Sequence, residues 1–189
     1  AYERRLAKQI RPEDVPRHIG VMLDGNRRWA RENGFETVDG HQAGADKIKH
    51  LLRWCEEAGV EVVTLWLLST DNLGRSKKEI VPLLKIIETA VADLAIEGRW
   101  RLHPIGALDL LPAETAQSLK ASAEATRGID GLHVNVAVGY GGRREIADAV
   151  RSLILEHAAH GTPVDQIADS ISVEEIEQQP GSSIAFGLE

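Results

Sequence analysis

The sequence predicts an α/β fold in which helices flank a parallel central sheet, and three observations lead to this prediction. Four short apolar runs, rich in Val, Ile and Leu, recur along the chain. They do not alternate cleanly with polar residues, which is typical of strands buried on both faces. Longer segments with helical spacing separate these runs, and this alternation indicates βαβ units with right-handed crossovers.

Each element has its own signal. In the first long helix, apolar residues recur at i, i+3, i+4 and i+7 from Ile48, and Gly59 stops the helix. Ser76-Lys77-Lys78-Glu79 has the form of a capping box, and Pro112 opens another helix. The predicted strands are His18–Leu23, Val60–Leu68, Trp100–Ile105 and Leu132–Val138. The predicted helices are Ala43–Ala58, Ser76–Glu97, Pro112–Thr126 and Arg143–His157, followed by a short helix within Ile167–Ile176 and a loop at Gln178–Ser183.

Composition excludes several classes of protein. With 189 residues, the chain suits a single domain over residues 1–189. Its longest apolar run, Val62–Leu68, is too short to span a bilayer, and the charged N-terminal sequence does not resemble a signal peptide. Cys55 is the single cysteine, which excludes an internal disulfide framework and is compatible with the cytoplasm. The formal net charge of −7 argues against general binding to nucleic acid.

Polar and basic residues follow three of the four predicted strands. The segment 24–29 follows the first strand, the segment 69–75 the second, and the segment 139–144 the fourth, whereas only Gly106 follows the third. Because ligands of open α/β sheets bind beyond the carboxyl ends of the strands, these residues predict a site at one edge of the sheet.

The segment after the first strand has the chemistry of a site for a metal ion and a diphosphate. Asp24 can hold Mg²⁺, which prefers oxygen ligands and often bridges to phosphate. Gly25 permits close backbone approach, and a helix that begins at Asn26 points its first N–H groups at an anion. Arg27 and Arg28 add charge-assisted hydrogen bonds. The alternative is a helix N-cap followed by a solvated basic turn.

For the other candidate residues, both a functional and a purely structural interpretation are open. His41 could contact a phosphate as a cation, or be a cap or surface residue at a helix start. Ser69–Asn72 could contribute to the site or cap the next helix. Arg143 and Arg144 could bind phosphate or be solvated. A structural role is favoured for the glycine turn of residues 139–142 and for Cys55 as a buried filler. It is also favoured for the apolar stripe on the second long helix, which consists of Leu83, Leu84, Ile87, Val91 and Leu94.

Four ordered motifs resemble those of the cis-prenyltransferases, the undecaprenyl diphosphate synthase family. They are His18–Ala30, Gly40-His41-x-x-Gly44, Leu68-Ser69-Thr70-Asp71-Asn72-Leu73-x-Arg75 and Asn135–Arg143. The match as a whole runs from about His18 to about His157, with the motifs in order and at the spacing of the family.

The resemblance implies a parallel-sheet α/β fold, a homodimer and a hydrophobic tunnel between sheet and helices. It also implies Mg²⁺-dependent condensation of isopentenyl diphosphate with an allylic diphosphate to form a cis double bond. By position, Asp24 is the essential carboxylate that works with Mg²⁺, and Asn72 is the proton acceptor. The implied substrate-binding residues are Gly25, Asn26, Arg27, Arg28, Trp29, His41, Ser69, Thr70, Asp71, Leu73 and Arg75.

Departures from the motifs refine these expectations. Thr37 lies where the family often has Arg, so a different anchoring of the first diphosphate is expected. Leu68, Asp71 and Leu73 lie where Phe, Glu and Trp are usual. The latter pattern resembles the actinobacterial short-chain branch, which makes cis-farnesyl diphosphate from geranyl diphosphate. A short product is therefore expected, and peripheral membrane association only if the product is long. The family's late Ile-Arg-Thr-Gly-Gly-Glu segment, which holds isopentenyl diphosphate and completes the Mg²⁺ site, has no match in residues 161–189.

Three alternatives remain open. The chain could be a non-catalytic or truncated partner subunit of a cis-prenyltransferase complex, which the unmatched late segment favours and the intact Asp24 segment disfavours. It could carry out irregular prenyl coupling or terpene cyclisation. A nucleotide-dependent oxidoreductase is disfavoured because the glycine pattern of residues 139–142 is incomplete.

Overall fold

Four parallel strands form the sheet at the centre of the computed structural model, which describes residues 9–172 without the side chains of residues 143–145, 164, 169 and 170. The strands are β1 (His18–Met22), β2 (Val62–Ser69), β3 (Arg101–Ile105) and β4 (His133–Tyr140). Their spatial order is β1-β2-β4-β3, and every neighbouring pair is parallel. The predicted fold class is confirmed, and each strand lies within two residues of its predicted bounds.

Within residues 9–172, six α-helices connect or follow these strands. They are α1 (Asn26–Glu32), α2 (Thr37–Ala58), α3 (Lys77–Glu97), α4 (Ala113–Thr126), α5 (Gly142–Ala159) and α6 (Val164–Ser170). Short 3-10 helices occur at Pro12–Asp14, Asp71–Gly74 and Leu108–Leu110. No helix in the described part of the chain is long and apolar enough to cross a membrane.

Helix α2 begins six residues before the predicted start at Ala43. Glu36 accepts a hydrogen bond from the N3 backbone, and Asp39 accepts one from the backbone N–H of Glu36, which is a reciprocal capping box. The segment Thr37–Gln42 lacks the apolar periodicity on which the prediction relied and contains Gly40, so the cap decides the boundary.

Other helix ends also differ from the predictions, and α5 continues to Ala159, two residues beyond its predicted end at His157. Ser76 is the N-cap of α3, but its side chain makes no capping hydrogen bond, so the predicted capping box with Glu79 does not form. Helix α6 begins at Val164, three residues before the predicted start, and residues 173–176 of that prediction lie outside the described residues. The predicted loop Gln178–Ser183 lies outside them as well.

The core lies between one face of the sheet and the helices α2, α3 and α4. Leu52 on α2, Val91 on α3 and Leu119 on α4 are almost completely buried, together with Val63 and Val134 of the sheet. The predicted apolar stripe on α3 is buried along its whole length, as expected for core residues. Cys55 is buried too, and burial raises the pKa of its thiol, which fits a filler role.

The chain divides into two compact units, residues 1–140 and residues 141–189. The first contains the sheet and helices α1 to α4. The second contains α5 and α6, in which Ala149, Leu153 and Ile167 are buried. The choice between phosphate binding and solvation for Arg143 and Arg144 stays open, because their side chains are not described. The single domain over residues 1–189 stays a prediction.

Candidate active site

A cavity of about 1040 Å³ lies at the carboxyl ends of β1 and β2, within the first unit. This is the edge of the sheet at which the sequence placed a site. One part of its lining is polar and basic, and consists of Asp24, Gly25, Asn26, Arg27, Arg28, Arg31, Glu36, Thr37, His41, Ser69, Asn72 and Arg75. The other part is mainly apolar, and consists of Met22, Leu23, Phe35, Ala45, Ile48, Trp66, Leu67, Leu68, Leu83, Ile86, Ile87 and Ala90.

The turn between β1 and α1 shapes the polar end of the cavity. Gly25 is the N-cap of α1 and has φ +88°, a left-handed conformation that favours glycine. Its backbone N–H donates to Oδ1 of Asp24 at 2.6 Å, which holds the carboxylate beside the turn. Helix α1, which is absent from the predicted helices, begins at Asn26, the start on which anion binding by this segment depends, with Arg27 and Arg28 in its first turn. The basic side chains and the start of the helix therefore share one surface.

Glycine at positions 40 and 44 lets α2 pack directly on the start of α1. A Cβ at Gly40 would overlap the backbone oxygen of Asn26, and a Cβ at Gly44 would lie 2.6 Å from Oδ1 of Asn26. Both distances are shorter than a real Cβ permits, so a larger residue at position 40 would displace the backbone of α1, and one at position 44 would displace the side chain of Asn26. This packing gives a physical reason for the Gly-His-x-x-Gly motif.

The end of β2 departs from regular strand geometry at the cavity wall. Its register with β4 shifts between Trp66 and Ser69, which is a bulge of the kind that redirects side chains near active sites. The oxygen Oγ of Ser69 accepts a hydrogen bond of 3.2 Å from the backbone N–H of Asn72. Ser69 thus bonds to the first turn of the 3-10 helix Asp71–Gly74, whose N-cap Thr70 makes no side-chain capping hydrogen bond, and the segment does not cap α3, whose N-cap is Ser76. Ser69 and Asn72 also line the cavity. The lining does not include Thr70, Asp71 or Leu73.

Arg75 links the second strand end to α3. One guanidinium nitrogen donates to Oδ1 of Asn72 at 2.8 Å, and the other donates to Oε1 of Glu79 at 2.9 Å. The same Oε1 lies 3.7 Å from a guanidinium nitrogen of Arg27 and 4.0 Å from Nε2 of His41. Sequence reasoning assigned Glu79 only to a capping box; the (i, i+4) spacing from Arg75 was the signal that could have indicated this ion pair.

His41 is buried on the second turn of α2, with 9% of its surface exposed. The expectation of a cap or surface residue at a helix start is therefore wrong, because α2 begins at Thr37 and carries His41 inward. Burial lowers the pKa of His41, and the nearby guanidinium groups of Arg75 and Arg27 lower it further against the opposing effect of Glu79. The imidazole is thus disfavoured as a cation before any anion binds.

Trp29 lies beside the cavity and not on its lining. Its indole stacks on the ring of Phe35, with the ring centroids 5.5 Å apart and the planes inclined by 18°. Phe35 itself lines the cavity, as does Arg31. Neither residue was among the sequence-predicted candidates; Arg31 lies one helical turn after Arg27, which is the signal that could have indicated it.

The apolar end of the cavity lies between α2 and α3. Ile48 of α2 and Leu83 and Ile87 of α3 contribute buried side chains to it. Leu84 is equally buried but does not line the cavity. Some residues of the predicted core stripe thus bound an open space as well, which extends the purely structural role favoured for them.

The carboxylates of the lining fit a metal ion only together with a phosphate ligand. Asp24 and Glu36 are the two carboxylate residues of the lining, and within residues 9–172 no group of three His, Cys, Asp or Glu residues could hold a metal ion. Mg²⁺ is commonly bound through one or two carboxylates plus substrate phosphates. The residues present therefore fit Mg²⁺ held by Asp24 and a diphosphate.

Comparison with known proteins identifies the family. The family described as putative undecaprenyl diphosphate synthase matches residues 22–182. The chain belongs to this family. Its matched region includes the whole cavity lining and continues into the second unit.

Members of the family with 53% and 62% identity to this chain come from actinobacteria. Isoprenyl transferase 1 of Streptomyces avermitilis is 53% identical over 173 residues, which is 92% of this chain and 67% of that protein. The (2Z,6E)-farnesyl diphosphate synthase of Thermobifida fusca is 62% identical over 162 residues, 85% of this chain and 63% of that protein. The chain thus spans about two thirds of the length of these relatives.

A solved structure of the family has the same fold. The lavandulyl diphosphate synthase of Lavandula x intermedia, in complex with dimethylallyl diphosphate, superposes with a TM-score of 0.79 at 30% identity. The match covers 88% of this chain and 71% of that one.

Proposed function

We propose that this chain belongs to a short-chain cis-prenyl transferase and binds the allylic diphosphate of the condensation reaction. The observation that supports this most directly is the cavity, in which a basic end is continuous with an apolar end. An allylic diphosphate has the same two parts, because a dianionic or trianionic head is joined to a hydrocarbon tail. The match of both parts in one cavity favours this ligand over a nucleotide, which has no long apolar segment.

The basic end provides the groups that a departing diphosphate needs. Arg27 and Arg28 can donate charge-assisted hydrogen bonds to phosphate oxygens. Asp24 would hold Mg²⁺ with the diphosphate, and the metal would neutralise charge on the leaving group. In the proposed reaction the allylic C–O bond breaks and diphosphate leaves. A new C–C bond forms to isopentenyl diphosphate, and the resulting cation loses a proton, for which the motif resemblance implies Asn72 as the acceptor.

The apolar end excludes water from the reacting carbon. Ile48, Leu83 and Ile87 would contact the hydrocarbon and keep water, a competing nucleophile, away from an electron-poor allylic carbon. The names of two relatives, a (2Z,6E)-farnesyl diphosphate synthase and a short-chain Z-isoprenyl diphosphate synthase at 62% and 45% identity, support a short product. A homodimer, implied by the motif resemblance, is part of the same proposal and is testable by light scattering.

An assay of the purified chain tests this proposal. Geranyl, farnesyl and dimethylallyl diphosphates are each incubated with isopentenyl diphosphate and Mg²⁺, with and without EDTA, and products are identified by mass spectrometry and double-bond geometry. The expected result is a C15 product with one new cis double bond from geranyl diphosphate, lost in EDTA and restored by Mg²⁺. A product formed from dimethylallyl diphosphate without isopentenyl diphosphate would instead indicate irregular coupling. Binding of geranyl diphosphate without turnover would indicate a partner subunit.

A further inference from the structure

Glu79 lies behind the cavity wall and contacts three of the residues that form it. It belongs to the first turn of α3, and its side chain is 22% exposed. It is not part of the lining, yet its Oε1 lies within 4.0 Å of Arg75, Arg27 and His41, all of which line the cavity. These three residues come from three different elements, so one carboxylate connects the loop after β2, helix α1 and helix α2.

By its charge alone, the carboxylate of Glu79 should weaken the binding of an anion in the cavity. A negative charge beside the arginines repels a bound diphosphate and partly neutralises the groups that should attract it. Among the ion pairs of residues 9–172, however, Glu79 is the only carboxylate paired with Arg27 or Arg75. Without it, both long side chains would regain rotamer freedom, which binding would have to remove again.

Arg75 carries the effect of Glu79 onward to Asn72. Its guanidinium is bound on one side by the carboxylate and on the other side donates to the amide oxygen of Asn72. A guanidinium that is hydrogen-bonded on two sides is fixed in one orientation. It therefore also fixes the orientation of the amide group of Asn72, to which it donates.

We propose that Glu79 is a positioning residue of the diphosphate site, which holds Arg75 and Arg27 in place and sets the orientation of Asn72 through Arg75. This inference rests on the proposed function, because it takes a diphosphate as the ligand of the basic end. It predicts that the preorganisation which Glu79 provides outweighs the repulsion that it causes.

Calorimetric titration with inorganic pyrophosphate and with geranyl diphosphate, in the presence of Mg²⁺, tests the sign of this effect. We expect Glu79→Ala to weaken both ligands by about tenfold, the lower end of the range for losing a supporting residue. Glu79→Gln should bind within about threefold of the wild type, because its amide oxygen can still accept from Arg75. Repulsion alone predicts the opposite, namely tighter binding in both variants.

Glu88 on the same helix provides matched controls. Its carboxylate is similarly buried, accepts a hydrogen bond of 2.5 Å from Thr115 and pairs with Lys85, and it does not line the cavity. Glu88→Ala and Glu88→Gln should leave affinity unchanged and match the Glu79 variants in thermal stability. Unchanged or tighter ligand binding by Glu79→Ala would overturn the positioning role. If Glu79→Ala does not fold, tighter ligand binding by Glu79→Gln would overturn the positioning role instead. A wild-type chain that binds neither ligand would overturn the proposed function itself.

Discussion

The guanidinium of Arg75 donates a hydrogen bond of 2.8 Å to the amide of Asn72 at the edge of the cavity. Because arginine has donors and no acceptor, the amide atom that it contacts must be the oxygen. No partner for the amide nitrogen of Asn72 is found in the described part of the chain, and the residue lines the cavity. In this arrangement Asn72 offers its N–H₂ group as a donor to a ligand, while its oxygen, already bound to Arg75, keeps one lone pair for proton acceptance.

Substitution Asn72→Asp separates these two roles. The aspartate keeps an oxygen for Arg75 but loses the N–H₂ group and adds a negative charge. If Asn72 donates to a phosphate oxygen, affinity for geranyl diphosphate should fall by about tenfold or more, the cost of a lost charge-assisted hydrogen bond. The measurement is calorimetric titration, with the exposed Asn33→Asp as the matched control. Unchanged affinity together with undiminished turnover would favour the role of proton acceptor.

Asp24 is expected to be essential for turnover and dispensable for folding. Its carboxylate lies at the cavity, and its contact given above is to the neighbouring backbone N–H of Gly25. Asp24→Ala should therefore reduce the rate of product formation to background while the melting temperature changes little. Asp93→Asn, at an exposed position of α3, is the control. Near-normal activity of Asp24→Ala would remove Asp24 from the reaction.

Two neighbouring residues of α3 should differ in their effect on the hydrocarbon tail. Ile87 and Leu84 are both buried, but only Ile87 lines the cavity. Phenylalanine at either position should cost about 1–3 kcal/mol of stability through overpacking. Only Ile87→Phe should lower affinity for farnesyl diphosphate relative to pyrophosphate. Equal affinity ratios in Ile87→Phe and Leu84→Phe would indicate that the tail binds elsewhere.

Gly40 is expected to tolerate no larger residue without loss of ligand binding. A Cβ at this position overlaps the backbone oxygen of Asn26, so Gly40→Ala must push α1 away from α2. We expect a loss of about 1–3 kcal/mol in the free energy of unfolding and weaker pyrophosphate binding, because Arg27 and Arg28 move with α1. Gly128→Ala, whose Cβ would meet nothing within 4 Å, is the control in denaturation and titration. Wild-type affinity in Gly40→Ala would show that the position of α1 is not critical.

The burial of His41 should make stability depend on pH. Burial first, and then Arg75, lower the pKa of His41 in the folded protein below its ordinary value near 6.5. Protonation therefore favours the unfolded chain. The stability that the neutral imidazole contributes is fully present above the pKa that His41 has in the unfolded chain. It is lost as the pH falls through the lower pKa that His41 has in the folded protein. Urea unfolding at about pH 7.5 and about pH 5.5 measures how much the free energy of unfolding falls between the two pH values. This fall should be smaller in His41→Gln than in the wild type. His50→Gln, at an exposed position on the same helix, should retain the wild-type loss.

Local sequence patterns were sufficient to predict the α/β class, the four parallel strands and the edge at which the cavity lies. These features depend on short-range periodicity and on the rule that the ends of parallel strands share one edge. The turn from Asp24 into α1 could be predicted for the same reason, because its glycine, its helix start and its arginines are consecutive in the chain.

Only the tertiary structure decided which of these residues meet and which do not. Glu79 contacts Arg27 and His41, which precede it by 52 and 38 residues, and no local pattern encodes such a contact. The exclusion of Trp29 from the cavity lining likewise depends on how side chains pack around it. Periodicity in a sequence specifies which face of an element is buried, but the residues that face each other across a cavity are determined by the packing of elements distant in the chain.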